Sequence, residues 1–353
     1  MAYTTIDDPS EYFQTAIYSG NSSTLAVTSQ GNATIAPDWV WVKRRNSSSN
    51  HALVDSSRGR APSLATNTNE AEYNTSATDK DLISFDTDGF TVGQPNQRDM
   101  NSNGDTFVAW QWKANGGTTS SNSDGSITST VQANTDAGFN IVTYTGTGSN
   151  ATVGHGLGVV PKFVIYKRRS ATENWGAYHT STGNTGCCFL NLTNAKITSS
   201  SFFNNTSPTS TTLSFGSNPA FNGNGSTHVA YCFAEKKGYS KFGSYIGNGN
   251  ANGAFVHLGF QPSWVLYKKS SASENWHILD NKRDTINPNS IGIDANNPNG
   301  ETNDANLQMD FLSNGFKLRT SHGTANASGS TYIYIAFAEN PFVSSKGVPT
   351  TAR

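Results

Sequence analysis

Three segments of this 353-residue chain lie over one another without a gap. Residues 37–52 read PDWVWVKRRNSSSNHA, residues 161–176 read PKFVIYKRRSATENWG, and residues 262–277 read PSWVLYKKSSASENWH. Pro37, Pro161 and Pro262 align, as do Lys43, Lys167 and Lys268, and His51, Trp175 and Trp276. A second landmark follows each proline by 63–66 residues: NGDTFVAWQWKA from Asn103, NGSTHVAYCFAE from Asn224 and SGSTYIYIAFAE from Ser328. A period of roughly 100 residues is a whole unit, not one turn of a solenoid. Whatever one unit folds into, the chain must build three times.

Alternation makes the unit β. One parity of the second landmark gives Val108, Trp110, Trp112, then Val229, Tyr231, Phe233, then Ile333, Ile335, Phe337, all apolar. The other parity is mixed, with Gln111, His228 and Cys232. This predicts a half-buried strand whose nine apolar residues face the core. FVIYK and WVLYK are β-branched and aromatic runs that start just after a proline, where proline is tolerated. Short strands, frequent Asn/Gly turns and no helical periodicity predict an all-β chain of three tandem antiparallel β-sandwich or jelly-roll domains, each with its own inter-sheet core.

Composition sets the boundaries and excludes partners. Repeat 1 with an N-terminal arm occupies 1–113, and ANGGTTSSNSDGS (114–126) reads as a flexible Gly/Ser/Asn linker. Repeat 2 runs over 127–237, repeat 3 over 238–342, and 343–353 is a C-terminal tail. Repeats 2 and 3 join without a linker and should be packed or rigidly hinged, with repeat 1 freer. Lys+Arg 24 against Asp+Glu 25 leaves no basic excess for nucleic acid or for an anionic membrane. No apolar run of 18 residues exists, so no membrane insertion is expected. The N-terminus lacks the basic and apolar regions of a secretory signal, and Cys187, Cys188 and Cys232 read as reduced structural thiols of a chain made in a cytosol.

Catalytic chemistry finds little support. The seven histidines are scattered over three units, none beside a nucleophile elbow. Glu173 and Glu274 are equivalent positions in two copies, not the carboxylate pair a glycosidase needs, and repeat 1 has Ser49 there. DANNPNGETNDAN (294–306) fails the EF-hand pattern, and FDTDGF (85–90) reads as a tight hairpin. No catalytic, metal or cofactor residues are assigned. The sharper candidates are Asn174 with Trp175 and Asn275 with Trp276. An exposed ring beside an amide is how sandwiches of this kind hold glycans, whereas a tryptophan opening a returning strand ordinarily packs on the sandwich. The basic steps Arg168-Arg169 and Lys268-Lys269 read as solvated strand ends.

DWVWVKRRNSSSNHALVDSSRG, LISFDTDGFTVG, FVAWQWKANGG, GFNIVTYTGTGSNATVGHGLGVVPKFVIYK and YCFAEKKGYSKFGSYIGNGNANGAFVHLGF together cover nearly the whole chain. They resemble a repeated domain of unknown function found in virion structural, tail-fibre-like proteins of marine, cyanophage-like bacteriophages. The resemblance implies a concanavalin-like jelly roll. It also implies a non-enzymatic virion protein assembled in the host cytoplasm, partnered by other virion proteins and by copies of itself. A lectin-like receptor-binding protein that recognises host-surface glycans is the alternative.

Overall fold

A computed structural model describes residues 3–75 and 77–350. The chain is all-β, and every paired strand in its sheets is antiparallel. Unit 1 contributes β1 (Phe13–Ser19), β2 (Trp39–Arg44), β3 (Ala52–Asp55) and β4 (Thr106–Trp112), in the order β1-β4-β2-β3. Unit 2 contributes β5 (Ser120–Asn122), β6 (Ser129–Asn134), β7 (Phe139–Thr145), β8 (Phe163–Arg168), β9 (Gly176–His179) and β10 (Thr227–Phe233), in the order β5-β6-β7-β10-β8-β9. Unit 3 contributes β11 (Ser240–Ile246), β12 (Phe260–Lys269), β13 (Trp276–Asp280) and β14 (Thr331–Pro341), in the order β11-β14-β12-β13. Two short strands extend each sheet beyond its last labelled strand.

The three sheets share one central plan, in which the last strand of each unit is inserted beside its first aromatic-rich strand. A small sheet covers one face of each. Val27, Leu82, Phe90 and Val92 pack on Val40, Val42, Phe107 and Ala109 in unit 1. Unit 2 sets Val153, Leu213 and Phe215 against Val142, Val164 and Ala230. Unit 3 sets Val256, Met309 and Phe316 against Val265, Tyr267 and Ala336. These are the expected inter-sheet cores.

The other face of each large sheet is not solvated. It turns to the middle of the molecule, where residues of all three units form one cluster. Trp112 shows how tightly this joins them: its ring centroid lies 5.8 Å from Trp264, 5.7 Å from Phe337 and 6.3 Å from Phe233. All nine residues of the apolar parity belong to this shared core. The half-buried reading of those strands is therefore corrected. Phe107, Ala109 and Gln111, His228, Ala230 and Cys232, and Tyr332, Tyr334 and Ala336 are buried as well, on the opposite face. A strand packed on both sides tolerates polar members only where they find a partner or behave as apolar groups: His228 Nε2 accepts the Gly223 amide at 3.1 Å, and Cys232 packs in the core of unit 2. Cys187 and Cys188 follow the same alternation, one in the core of unit 2 and one in the shared core, and both are free thiols.

The stretch 114–126 also departs from expectation. Its backbone amides at Ala114, Gly116 and Gly117 donate to the Asp38 carboxylate at 2.7, 2.9 and 2.8 Å, and β5 joins the sheet of unit 2. Glycine and asparagine here serve a tight anion-cupping turn, so the stretch is bonded to unit 1 at one end and to the sheet of unit 2 at the other. Among the described residues no helix is long and apolar enough to cross a membrane.

Candidate functional site: three latches between repeats

The repeated Lys…Glu-Asn-Trp stretch forms a turn that leans out of its own unit and grips a loop of the next one. In unit 2 the Glu173 amide donates to the Asn69 carbonyl of unit 1 at 2.8 Å. The Trp175 indole Nε1 donates to Ala65 O at 2.8 Å. Unit 3 repeats this on unit 2, with the Glu274 amide on Thr193 O at 2.8 Å and Trp276 Nε1 on Phe189 O at 3.0 Å. Unit 1 repeats it on unit 3, with the Ser49 amide on Pro298 O at 2.8 Å and His51 Nε2 on Asp294 O at 3.1 Å. Each unit thus holds a different neighbour. The contacts run head to tail and close into a ring, the geometry of a cyclic trimer written in one chain.

The aligned lysines are part of the same latch. Lys167 Nζ donates to the carbonyls of Arg168, Glu173 and Asn69 at 2.9, 2.8 and 3.4 Å, and Lys268 Nζ to those of Lys269, Glu274 and Thr193 at 3.0, 2.7 and 2.9 Å. Lys43 Nζ reaches Arg44 O and Pro298 O at 2.9 and 3.0 Å. An ammonium has three donors, and these turns supply acceptors for them. All three lysines are buried, so Lys268 is not a solvated strand end as expected. Burial lowers their pKa, to about 7 for Lys43 and about 8 for Lys167 and Lys268.

His51 shows what the latch requires of its ring. Its Nδ1 accepts from the Trp41 indole at 2.8 Å, so Nε2 carries the hydrogen and does the work of the indole N–H in the other copies. Burial first, and Lys43 second, push its pKa well below the usual value, which keeps this neutral tautomer.

For Asn174, Trp175, Asn275 and Trp276 the sequence leaves two readings, rings open to a glycan or rings packed on the sandwich, and in the structure the rings are packed. Both tryptophans are 0 % exposed, with their only polar group committed to a neighbour's backbone. No ring face is left for a sugar. Asn174 Oδ1 accepts from Asn191 Nδ2 at 2.8 Å, and Asn191 Oδ1 in turn accepts the Trp175 amide at 2.9 Å. Asn275 and Asn296 repeat this at 2.8 and 2.7 Å, and Asn50 and Asn67 at 2.8 and 2.9 Å. The second asparagine of each pair, 17–21 residues on, recurs in the sequence but has no conspicuous flanking motif.

Further polar groups distinguish the three seams. Between units 1 and 2, the Tyr231 hydroxyl donates to Asp55 Oδ2 at 2.7 Å, and Arg58 Nε donates to the same oxygen at 2.5 Å. Between units 3 and 1, Trp110 Nε1 donates to Asp280 Oδ2 at 3.1 Å, and Arg283 Nε does so at 2.6 Å. Between units 2 and 3 the central residue is Ile335, which offers no polar atom, and His179 Nε2 turns to the Tyr334 carbonyl at 3.1 Å. Bidentate pairs fasten the rims of two seams, Arg45 with Glu301 and Arg169 with Glu72. In the sequence these keys are marked by a repeated Asp-x-x-Arg spacing at 55–58 and 280–283.

Unit 3 adds one ionisable cluster. His277 Nδ1 lies 2.6 Å from Asp294 Oδ1, and its Nε2 lies 3.8 Å from Glu274 Oε1. Burial alone would lower the imidazole pKa, but the two carboxylates outweigh it and the pKa is raised above 6.5. A raised folded-state pKa gives stabilisation that is complete below pH ~6.5 and is lost as the pH rises through the folded value. The stability difference between wild type and His277→Gln is therefore expected to be largest near pH 6 and to shrink toward pH 9. Urea denaturation at both pH values measures it, and a difference independent of pH would remove the ion pair from the account.

The leading carboxylates of the two acidic loops, Asp86 and Asp294, are taken up by neighbouring side chains. Asp86 accepts from the hydroxyls of Ser84 and Thr91, each at 2.7 Å. Asp294 accepts from Asn275 and Asn297 and faces His277. Among the described residues no group of three or more His, Cys, Asp or Glu side chains is placed to hold a metal ion. A family model described as a domain of unknown function (DUF7483) matches residues 8–341, which takes in all three units as one stretch. No curated protein and no solved structure matches the chain.

Proposed function

The chain belongs to this family of unknown function, and from that premise we propose that it is a non-enzymatic structural protein of a bacteriophage virion. It serves as a rigid block in a tail-fibre-like or head–tail appendage and acts through protein–protein packing. One observation carries the reading: the side chains that recur in the repeats are spent between the units, closing them into a ring over one aromatic core. Repetition conserved for a ligand would leave recurring polar groups open in each copy. Here it ties each unit to both neighbours by hydrogen bonds and a common core, an arrangement that suits a load-transmitting particle component. The sequence resemblance to virion proteins points the same way. Recognition of host-surface glycans, the alternative, would have to use surfaces other than Trp175 and Trp276.

Cryo-electron microscopy of purified particles tests the proposal. The expected result is a three-lobed density of this size, in fixed copy number, on an appendage or at its junction with the head. Absence of the chain from purified particles by mass spectrometry overturns it.

A further inference from the structure

The three seams are not equally filled. Where units 1 and 2 meet, β6 lies antiparallel along the outer edge of β7, with Gln132 opposite Ile141 and Asn134 opposite Phe139. Gln132 Nε2 donates to the hydroxyls of Ser56 and Ser57 at 3.0 and 2.6 Å, and its Oε1 accepts the amides of Asn115 and Gly117 at 3.2 and 2.9 Å. Asn134 Nδ2 reaches the carbonyls of Lys113 and Ala114 at 3.4 and 3.2 Å. Where units 2 and 3 meet, the register places Phe242 at the position of Ile141, and its ring closes the seam 6.4 Å from Phe163.

Where units 3 and 1 meet, the same position is Thr15, and a cleft of about 240 Å³ lies beside it. The cleft is lined by the register counterparts of the groups that β6 touches. Phe13 and Thr15 stand for Phe139 and Ile141, Asn281 and Lys282 for Ser56 and Ser57, and Ala338 and Glu339 for Lys113 and Ala114. Thr15 Oγ1 is buried with no hydrogen-bond partner. The backbone of β1 has no strand beside it here, although residues 30–33 lean over it, tied through Gln14 Oε1 to the amides of Gln30 and Gly31 at 2.9 and 2.8 Å and through Gln14 Nε2 to Ala33 O at 2.6 Å. Tyr12 O and Gly20 N bond toward β4, so by alternation Phe13, Thr15 and Ile17 direct their amides and carbonyls outward. The Gln30 side chain takes both groups of Ile17, at 3.1 and 2.8 Å, as a neighbouring strand would.

We propose that this cleft is a vacant strand berth. It receives an extended segment of another polypeptide, antiparallel to β1 and carrying Gln-x-Asn, so that the glutamine amide reaches the Asn281–Lys282 turn and the asparagine reaches the backbone at 338–339. Main-chain pairing along an open edge supplies the affinity, and the amides supply the register. The berth is a property of the seam and stands whether or not the chain is a virion component.

The probe is a fluorescent peptide of residues 128–135, TSTVQANT, titrated into the full-length protein. Saturable binding is expected, with slowed hydrogen exchange at the Phe13 and Thr15 amides. Replacing the peptide's Gln and Asn by Ala should weaken binding at least about tenfold, the effect of losing one or two hydrogen bonds. Thr15→Phe, which installs the ring of unit 3, should remove binding while the protein still folds. The alanine peptide leaves the protein untouched, so it decides the matter if that variant does not fold. No saturation at millimolar peptide, equal binding of the alanine peptide, or protection elsewhere than β1 overturns the berth.

Discussion

Trp39→Ala is expected to destabilise the protein by about 3–5 kcal/mol, the range for removing a fully buried tryptophan, and to do so for all three units together. Trp39 stacks on Tyr231 at 4.5 Å and on Phe139 at 5.8 Å, and tilts against Trp112 at 4.4 Å. Two of those three rings belong to unit 2, so the cavity opens between units and not within a sandwich. Burial of an aromatic ring, ~200 Å² at ~25 cal/mol per Å², gives about 5 kcal/mol as an upper figure. That agrees with the mutational range. Calorimetry should show one transition in wild type and one in the variant, shifted as a whole. If hydrogen exchange found units 2 and 3 melting at the wild-type temperature while unit 1 melted early, the units would be autonomous and the shared core would not couple them.

The ring explains which features were legible in the sequence. Strand alternation and the period of the repeat depend on local spacing, and both led directly to antiparallel sheets with their own cores. The second buried face did not show itself in the same way. A residue such as Trp110 looks the same in sequence whether it faces its own small sheet or another unit. Alternation puts Val108, Trp110 and Trp112 on one face but does not say which neighbour covers it. The latch was half visible. Glu-Asn-Trp was recognisably repeated, yet a donor whose acceptor is a backbone carbonyl leaves no complementary residue to find. Ala65, Phe189 and Asp294 accept equivalent hydrogen bonds and have nothing in common as side chains. The Gly/Ser/Asn stretch misled for a related reason, because its role rests on main-chain amides around Asp38, which composition does not register.

The seam between units 1 and 2 gives the other large effect. Asp55→Ala is expected to cost about 3 kcal/mol, the lower end for removing one partner of a buried ion pair. Asp55 and Arg58 are both fully buried, and the carboxylate also accepts from the Arg58 amide at 2.9 Å and from Tyr231. Without it the guanidinium keeps Glu72, at 2.6 Å and near the rim, which is why the lower end applies. Asp55→Leu combined with Arg58→Met should cost less than the single change, since no charge is then stranded. Guanidinium denaturation of the wild type, the single and the double variant separates these cases. A single variant within about 0.5 kcal/mol of wild type would mean that the buried pair does not hold the seam. If instead the double variant is stable but populates dimers, the pair is there to specify pairing. Its Tyr231 hydroxyl partner is replaced by the Trp110 indole at the seam of units 3 and 1 and by Ile335, which has no polar side-chain atom, at the seam of units 2 and 3, so a mismatched pairing that set Asp55 against Ile335 would leave it without a donor across the seam.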